Sequence, residues 1–195
     1  MIECYNIPFV EIIGLVLTLI YMYLEIKQDW KMWIVGILSS MIYIYVFFVA
    51  KLYAEVGINV YYMLMGFYGI FLWLVKKNKT SSIKKNNRSI DKKMTLMLSI
   101  FTTAMTGLIY YILKNYTDSP LPFWDAMIAA LSITATWMLA NKIIEHWFLW
   151  IAVNFGMVAI TIATEIYITS ALYLIYGFVS IYGYYEWLKL VKQEK

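Results

Sequence analysis

The feature that most constrains this chain is a series of seven apolar segments near twenty residues each, at 8–26, 31–50, 56–75, 94–114, 122–140, 147–164 and 168–188. At 1.5 Å of rise per residue, about 20 apolar residues cross the ~30 Å hydrocarbon layer of a bilayer. The segments are continuous and too long for barrel strands, which take about 10 alternating residues. In lipid a backbone amide finds no water, and a helix satisfies its own. The expectation is an all-α membrane protein of seven transmembrane helices. Composition agrees: 63% of residues are hydrophobic and 14% charged, whereas soluble domains carry about 25% charged residues. A water-soluble globule and a disordered chain are both excluded. A cleaved leader is not expected, because the N-terminus carries Glu3 and no basic run. The single cysteine, Cys4, allows neither an internal disulfide nor a cysteine-based metal cluster.

Charge placement orients the bundle. Lys76–Lys93 is the one long polar stretch, with eight Lys and Arg against one acid, Asp91. It parts three spans from four and reads as a solvated linker. With it placed in the cytoplasm, 14 of the 16 basic residues fall on that side, leaving Lys51 and Lys114 outside. The N-terminus is then outside and the C-terminus cytoplasmic. The net charge of +4 is a topology signal at the lipid headgroups, not a nucleic-acid footprint.

The two ends of the chain share a pattern. Glu11 and Asp125 begin the first and fifth spans, 114 positions apart. Trp30-x-x-Trp33 and Trp147-x-x-Trp150 open the second and sixth, 117 apart. Tyr68-Gly69-x-x-x-Trp73 and Tyr182-Gly183-x-x-x-Trp187 close the third and seventh, again 114 apart. Both halves run from outside to inside, so the repeats are parallel, and the fourth span is the linker that keeps them so. The expected organisation is 3+1+3: a first three-helix repeat at 1–75, a basic cytoplasmic loop at 76–93, a linker helix at 94–119 and a second repeat at 120–195. Such symmetry suits a transporter whose ligand sits between the halves. A duplicated scaffold without transport is the bland reading.

Helical spacing picks out candidate site residues. Asn59, Tyr62, Gly66, Gly69 and Trp73 form one stripe of the third span, and Tyr173, Tyr176, Ser180, Gly183 and Trp187 repeat it in the seventh. Small residues mark faces where helices approach closely. The stripes therefore turn Asn59, Tyr62, Tyr173 and Tyr176 toward the bundle axis, unless the tyrosines form an interfacial belt. For Trp73 and Trp187, near the cytoplasmic ends, the belt is the expectation. Trp147, Trp150 and Asn154 share a face of the sixth span. An amide there is costly unless it bonds another helix or a ligand. Trp150 and Asn154 could hold a planar heteroaromatic ring by stacking and hydrogen bonding; the plain structural reading is an amide bond between helices. Aromatic residues, 18% of the chain, would also attract a flat organic cation.

Chemistry beyond binding is not expected. Glu11, Asp125 and Glu165 lie near the outer surface and Glu186 near the inner one, so no carboxylate stands at mid-membrane to couple protons. His146 reads as a solvated residue at a helix start. There is no phosphate-binding glycine loop, nucleophile elbow or metal-ligand cluster. The chain is expected to be no enzyme, with no catalytic residues, metal or cofactor.

Together the motifs Leu121-Pro122-Phe123-Trp124-Asp125, Glu145-x-Trp147-x-x-Trp150-x-x-x-Asn154 and Tyr182-Gly183-x-x-x-Trp187 resemble the second half of the PnuC family of vitamin transporters. Trp30-x-x-Trp33, Leu52-Tyr53-Ala54-Glu55 and the stripe from Tyr61 to Trp73 resemble its first half. The resemblance implies a bundle like that of the SWEET sugar transporters, assembled as a homotrimer in a bacterial inner membrane. It implies facilitated diffusion of nicotinamide riboside, made one-way by a cytoplasmic kinase, with thiamine as the alternative cargo. It carries a binding role to Trp150 and Asn154. Riboside carriers of the family usually have glutamine where this chain has Asn59, an amide one methylene shorter. Both vitamins present an aromatic cationic ring.

Overall fold

The computed structural model describes residues 7–49, 53–79, 90–165 and 167–193. Its elements are α1 (Ile7–Ile26), α2 (Lys31–Val49), α3 (Tyr53–Lys79), α4 (Lys92–Tyr116), α5 (Pro122–Ala140), α6 (His146–Ala163) and α7 (Tyr167–Gln193). Every expected segment is a helix. α3 and α7 run past their apolar stretches into Lys76, Lys77 and Lys79, and into Lys189 and Lys192. Lysine is a good helix former, and its charge suits the negative end of the helix dipole. By length and composition α2, Val56–Leu74 of α3, α4, α5 and α6 can each cross a membrane. Ile13–Ile26 of α1 is apolar as well.

The chain divides into two compact units, Met1–Lys84 and Lys85–Lys195. In the first, α1 packs on α2 and α2 on α3; in the second, α4 packs on α5, α5 on α6 and α6 on α7. No residue of α4 is buried, and Leu96, Met97 and Ile100 stand outward on it. α5 is the opposite. Its buried Ala126, Ala129, Ala130, Ala135 and Ala140 let α4 and α6 close on either side. α4 starts on Asp91, whose carboxylate accepts the Met94 N–H at 2.7 Å and satisfies one orphan donor of the first turn.

The two units repeat each other in detail. α1 and α5 end in the same turn. After α1, Gln28 takes φ 53°, its N–H reaches the Glu25 carbonyl, and the Asp29 N–H reaches that of Leu24. After α5, Lys142 takes φ 56°, its N–H reaches the Leu139 carbonyl, and the Ile143 N–H reaches that of Met138. Both are Schellman caps, and both put a side chain where glycine is usual. The turn direction is worth that strain, because it folds α2 and α6 back onto their predecessors.

Beyond each turn lies the tightest contact of each unit. The Trp33 indole covers Gly69, and the Trp147 indole covers Gly183, so a methyl at either glycine would overlap the ring. Trp73 then meets Trp33 edge-on at 5.8 Å and 89°, and Trp187 meets Trp147 at 5.9 Å and 84°. Two expectations are corrected here. Trp73 and Trp187 are 6% and 0% exposed, so they do not form an interfacial belt. Standing four residues after a contact glycine, each shares that glycine's face and enters the helix seam. The repeat register also changes. Trp33, not Trp30, is the counterpart of Trp147, so the uniform offset is 114, and Gly36 stands where Trp150 does.

Gly69→Ala and Gly183→Ala should each lower stability by about 1–3 kcal/mol, because a buried indole has no free space to move into. Gly107, with open space around it, should accept alanine with no loss and a gain of up to about 1 kcal/mol in helix propensity. Thermal unfolding of the detergent-purified variants checks both. Equal tolerance at all three positions would contradict the packing.

Candidate functional site

The residues expected to bind a ligand lie on one helix of the first unit and two of the second. In α3, Asn59 is buried and engaged within the fold, and Tyr62 is half-buried with its ring 5.8 Å from Tyr61. Both lie on the stripe that continues through Gly66 and Gly69 to Trp73. That stripe faces α2, since Gly66 abuts Ile37 and Gly69 abuts Trp33.

The second unit joins most of its candidates through one seam. The Nδ2 of Asn154 on α6 donates to the Ser180 hydroxyl on α7 at 3.1 Å. That hydroxyl donates to the backbone carbonyl of Tyr176 at 2.9 Å. Asn154, Tyr176 and Ser180 are all buried, and the Tyr173 and Tyr176 rings meet edge-on at 6.0 Å. The amide bond between helices that the sequence allowed is therefore present. It occupies one N–H of Asn154 and leaves the carbonyl oxygen outside the bond. Trp150, one turn earlier on α6, keeps its ring half-buried, and its buried indole N–H has no acceptor among the described residues. Trp147, on the same face, is taken up by packing against Gly183.

His146 corrects a further expectation: it is fully buried rather than solvated. Its Nδ1 lies 2.7 Å from the Ile143 carbonyl, and its ring sits 4.7 Å from both Trp147 and Trp187. The turn after α5 brings the start of α6 beneath the end of α7, where the aromatic cluster closes over the imidazole.

The acidic residues serve structure at the ends of elements. Asp125, in the first turn of α5, accepts from Ser119 at 2.5 Å. Glu186 accepts from Lys189 at 2.6 Å. Glu165 is exposed in the turn after α6 with φ 61°, and the Glu11 side chain lies outside the described residues. Sequence reasoning passed over two carboxylates. Glu25 is buried near the end of α1 and engaged within the fold. Glu145 accepts the Ile90 N–H at 3.1 Å across 55 residues and ties the entry of α4 to the turn before α6. No spacing rule reports such a bond. Two open grooves between α4 and α5 were also missed. One of about 440 Å³ is lined by Thr102, Thr103, Thr106, Tyr110 and Phe123. The other, about 480 Å³, includes Ser99, Thr134 and Glu145. Among the described residues, no group of three or more His, Cys, Asp or Glu could hold a metal ion.

Against known proteins, residues 8–189 match the family described as Nicotinamide mononucleotide transporter. The chain belongs to this family. Nicotinamide riboside transporter PnuC of Escherichia coli K12 is 22% identical over 212 residues, covering 97% of this chain and 89% of that one. The Haemophilus influenzae protein of the same name is 28% identical over 163 residues, covering 81% and 70%. Riboflavin/roseoflavin transporter RibM of Streptomyces davaonensis is 23% identical over 185 residues, covering 93% and 85%. The crystal structure of the vitamin B3 transporter PnuC superposes with a TM-score of 0.77 at 22% identity, covering 98% of this chain and 85% of that one. The fold is that of PnuC. The chain is thus a multi-pass membrane transporter of the PnuC family, and not an enzyme.

The geometry separates two kinds of tryptophan. Trp187→Ala, in the closed aromatic cluster, should cost about 3–5 kcal/mol and depress the thermal midpoint strongly. Trp150→Ala should cost clearly less, because the ring is only half-buried. Comparable losses for the two would place Trp150 in the core and remove it from any site.

Proposed function

We propose that this chain takes up nicotinamide riboside by energy-independent facilitated diffusion, with trapping by a cytoplasmic kinase that phosphorylates the vitamin. The observation that carries the reading is the Asn154–Trp150 face. It offers a held amide beside an aromatic wall that the packing leaves half-open, within a chain of the PnuC family. Asn59, Tyr62, Tyr173 and Tyr176 are further binding residues in this reading. In the same reading α1–α3 and α5–α7 are two parallel repeats, and α4 is the linker of a 3+1+3, SWEET-like arrangement. The 114-residue offset of the Schellman caps and of the Trp-over-Gly contacts supports it. Seven spans, an outside N-terminus, a cytoplasmic C-terminus and a homotrimer in a bacterial inner membrane belong to the same proposal.

Cargo identity rests on the relatives. Two named for nicotinamide riboside favour that vitamin, and RibM shows that a relative of similar identity is named for another flat heteroaromatic vitamin. Thiamine, the other cationic-ring candidate, belongs in the same comparison. Titrating all three into the purified protein decides among them: nicotinamide riboside should bind tightest, and tighter binding of riboflavin or thiamine would reassign the cargo. Trp150→Ala and Asn154→Leu should each weaken binding by about 1–3 kcal/mol, roughly 5–150-fold. Parent-like affinity in both would put the site elsewhere.

Energy independence follows from where the carboxylates lie. Proteoliposomes enclosing a kinase and ATP should take up labelled vitamin at an initial rate that a protonophore does not change. Collapse of that rate on abolishing the pH gradient would show proton coupling, with Glu25, buried in α1, as the first suspect.

A further inference from the structure

We propose that Ser180 is a positioning residue that sets the polarity of the Asn154 amide, so that Asn154 meets its ligand as a hydrogen-bond acceptor. This rests on the reading above that Asn154 contacts the ligand. A serine hydroxyl has one proton and can accept through its lone pairs. Ser180 directs its proton to the Tyr176 carbonyl at 2.9 Å, so toward α6 it presents an acceptor. The group it meets there is Nδ2 of Asn154, at 3.1 Å. Turning the amide over would set its carbonyl against that oxygen unless the hydroxyl gave up its own bond to the Tyr176 carbonyl. Ser180 is 1% exposed and Asn154 6%, so water offers little relief from that mismatch. With the N–H end held on α7, Oδ1 points away from Ser180. A ligand would therefore be selected for a donor at this point: a primary carboxamide, a ring amine or a hydroxyl. An acceptor-only group such as a carboxylate would be rejected.

The fold does not require this pair. At the positions 114 residues earlier stand Ser40 and Gly66. There the space beside Gly66 is filled by the Ile37 side chain, and position 66 has no hydroxyl to offer Ser40. The polar pair is particular to the second unit, as expected of a recognition device rather than of helix packing. In the sequence Ser180 reads only as one more small residue on a contact face.

The test titrates nicotinamide riboside and its carboxylate counterpart, nicotinic acid riboside, into the full-length protein in nanodiscs. Parent, Ser180→Ala and Asn154→Leu are compared, with thermal unfolding as the check on folding. The parent should prefer the carboxamide. Ser180→Ala releases the amide to rotate, and its preference should shrink by about 5–10-fold, the equivalent of one neutral hydrogen bond. Ser180→Cys, nearly the same shape with a poor acceptor, should move the same way and serves should the alanine variant fail to fold. Loss of packing alone would weaken both ligands equally and leave their ratio unchanged. An unchanged ratio in folded Ser180 variants, or a parent without preference, overturns the inference. Parent-like binding by Asn154→Leu overturns the underlying site reading instead.

Discussion

Both units depend on an indole packed directly against a glycine. Lipid tails are as apolar as leucine side chains, so helices in a membrane gain little by hiding apolar surface from one another. They associate through close packing and hydrogen bonds. Trp33 on Gly69 and Trp147 on Gly183 let two helix backbones approach with a large polarisable ring between them. A second tryptophan, Trp73 or Trp187, closes each ring from the edge. The Schellman turns after α1 and α5 aim α2 and α6 into these contacts, and His146 fills the space that remains in the second unit.

With the α6–α7 seam held at its Trp147 end, the rest of it can carry polarity. Asn154 lies two turns along α6 from Trp147, and Ser180 nearly one turn before Gly183 on α7. The amide and hydroxyl therefore meet across helices whose separation is already set. In a medium without water, an amide whose orientation is set by a partner is a more selective binding group than one free to turn. The cost of burying it is offset by the one bond it makes. The half-buried ring of Trp150 beside it is what such a seam leaves for a ligand.

Much of this was legible in the residues. Seven apolar runs of the right length became seven helices at nearly the expected bounds, because in lipid a backbone can satisfy itself locally in only one way. The stripes of α3 and α7 follow from the 3.6-residue period, and their burial matches it. The errors share a cause. Trp73, Trp187 and His146 were placed by depth alone, and depth does not say which face of a helix a neighbour covers. The three-residue slip between Trp30 and Trp33 has the same origin, since spacing cannot tell which of two tryptophans meets the glycine. The bond from Glu145 to Ile90 spans too much chain for any periodicity to announce it.

The sequence by itself determined the all-helical architecture, the order and length of the elements, a repetition offset by 114 to 117 residues and the small-residue faces on which they meet. These are consequences of local backbone satisfaction and helical period, which each segment carries within itself. Only the tertiary structure decided which tryptophan packs and which stays half-open, that His146 is enclosed, and that the Asn154 amide is held by Ser180. Each of those depends on an atom contributed by another helix, at a distance set by how the backbones pack.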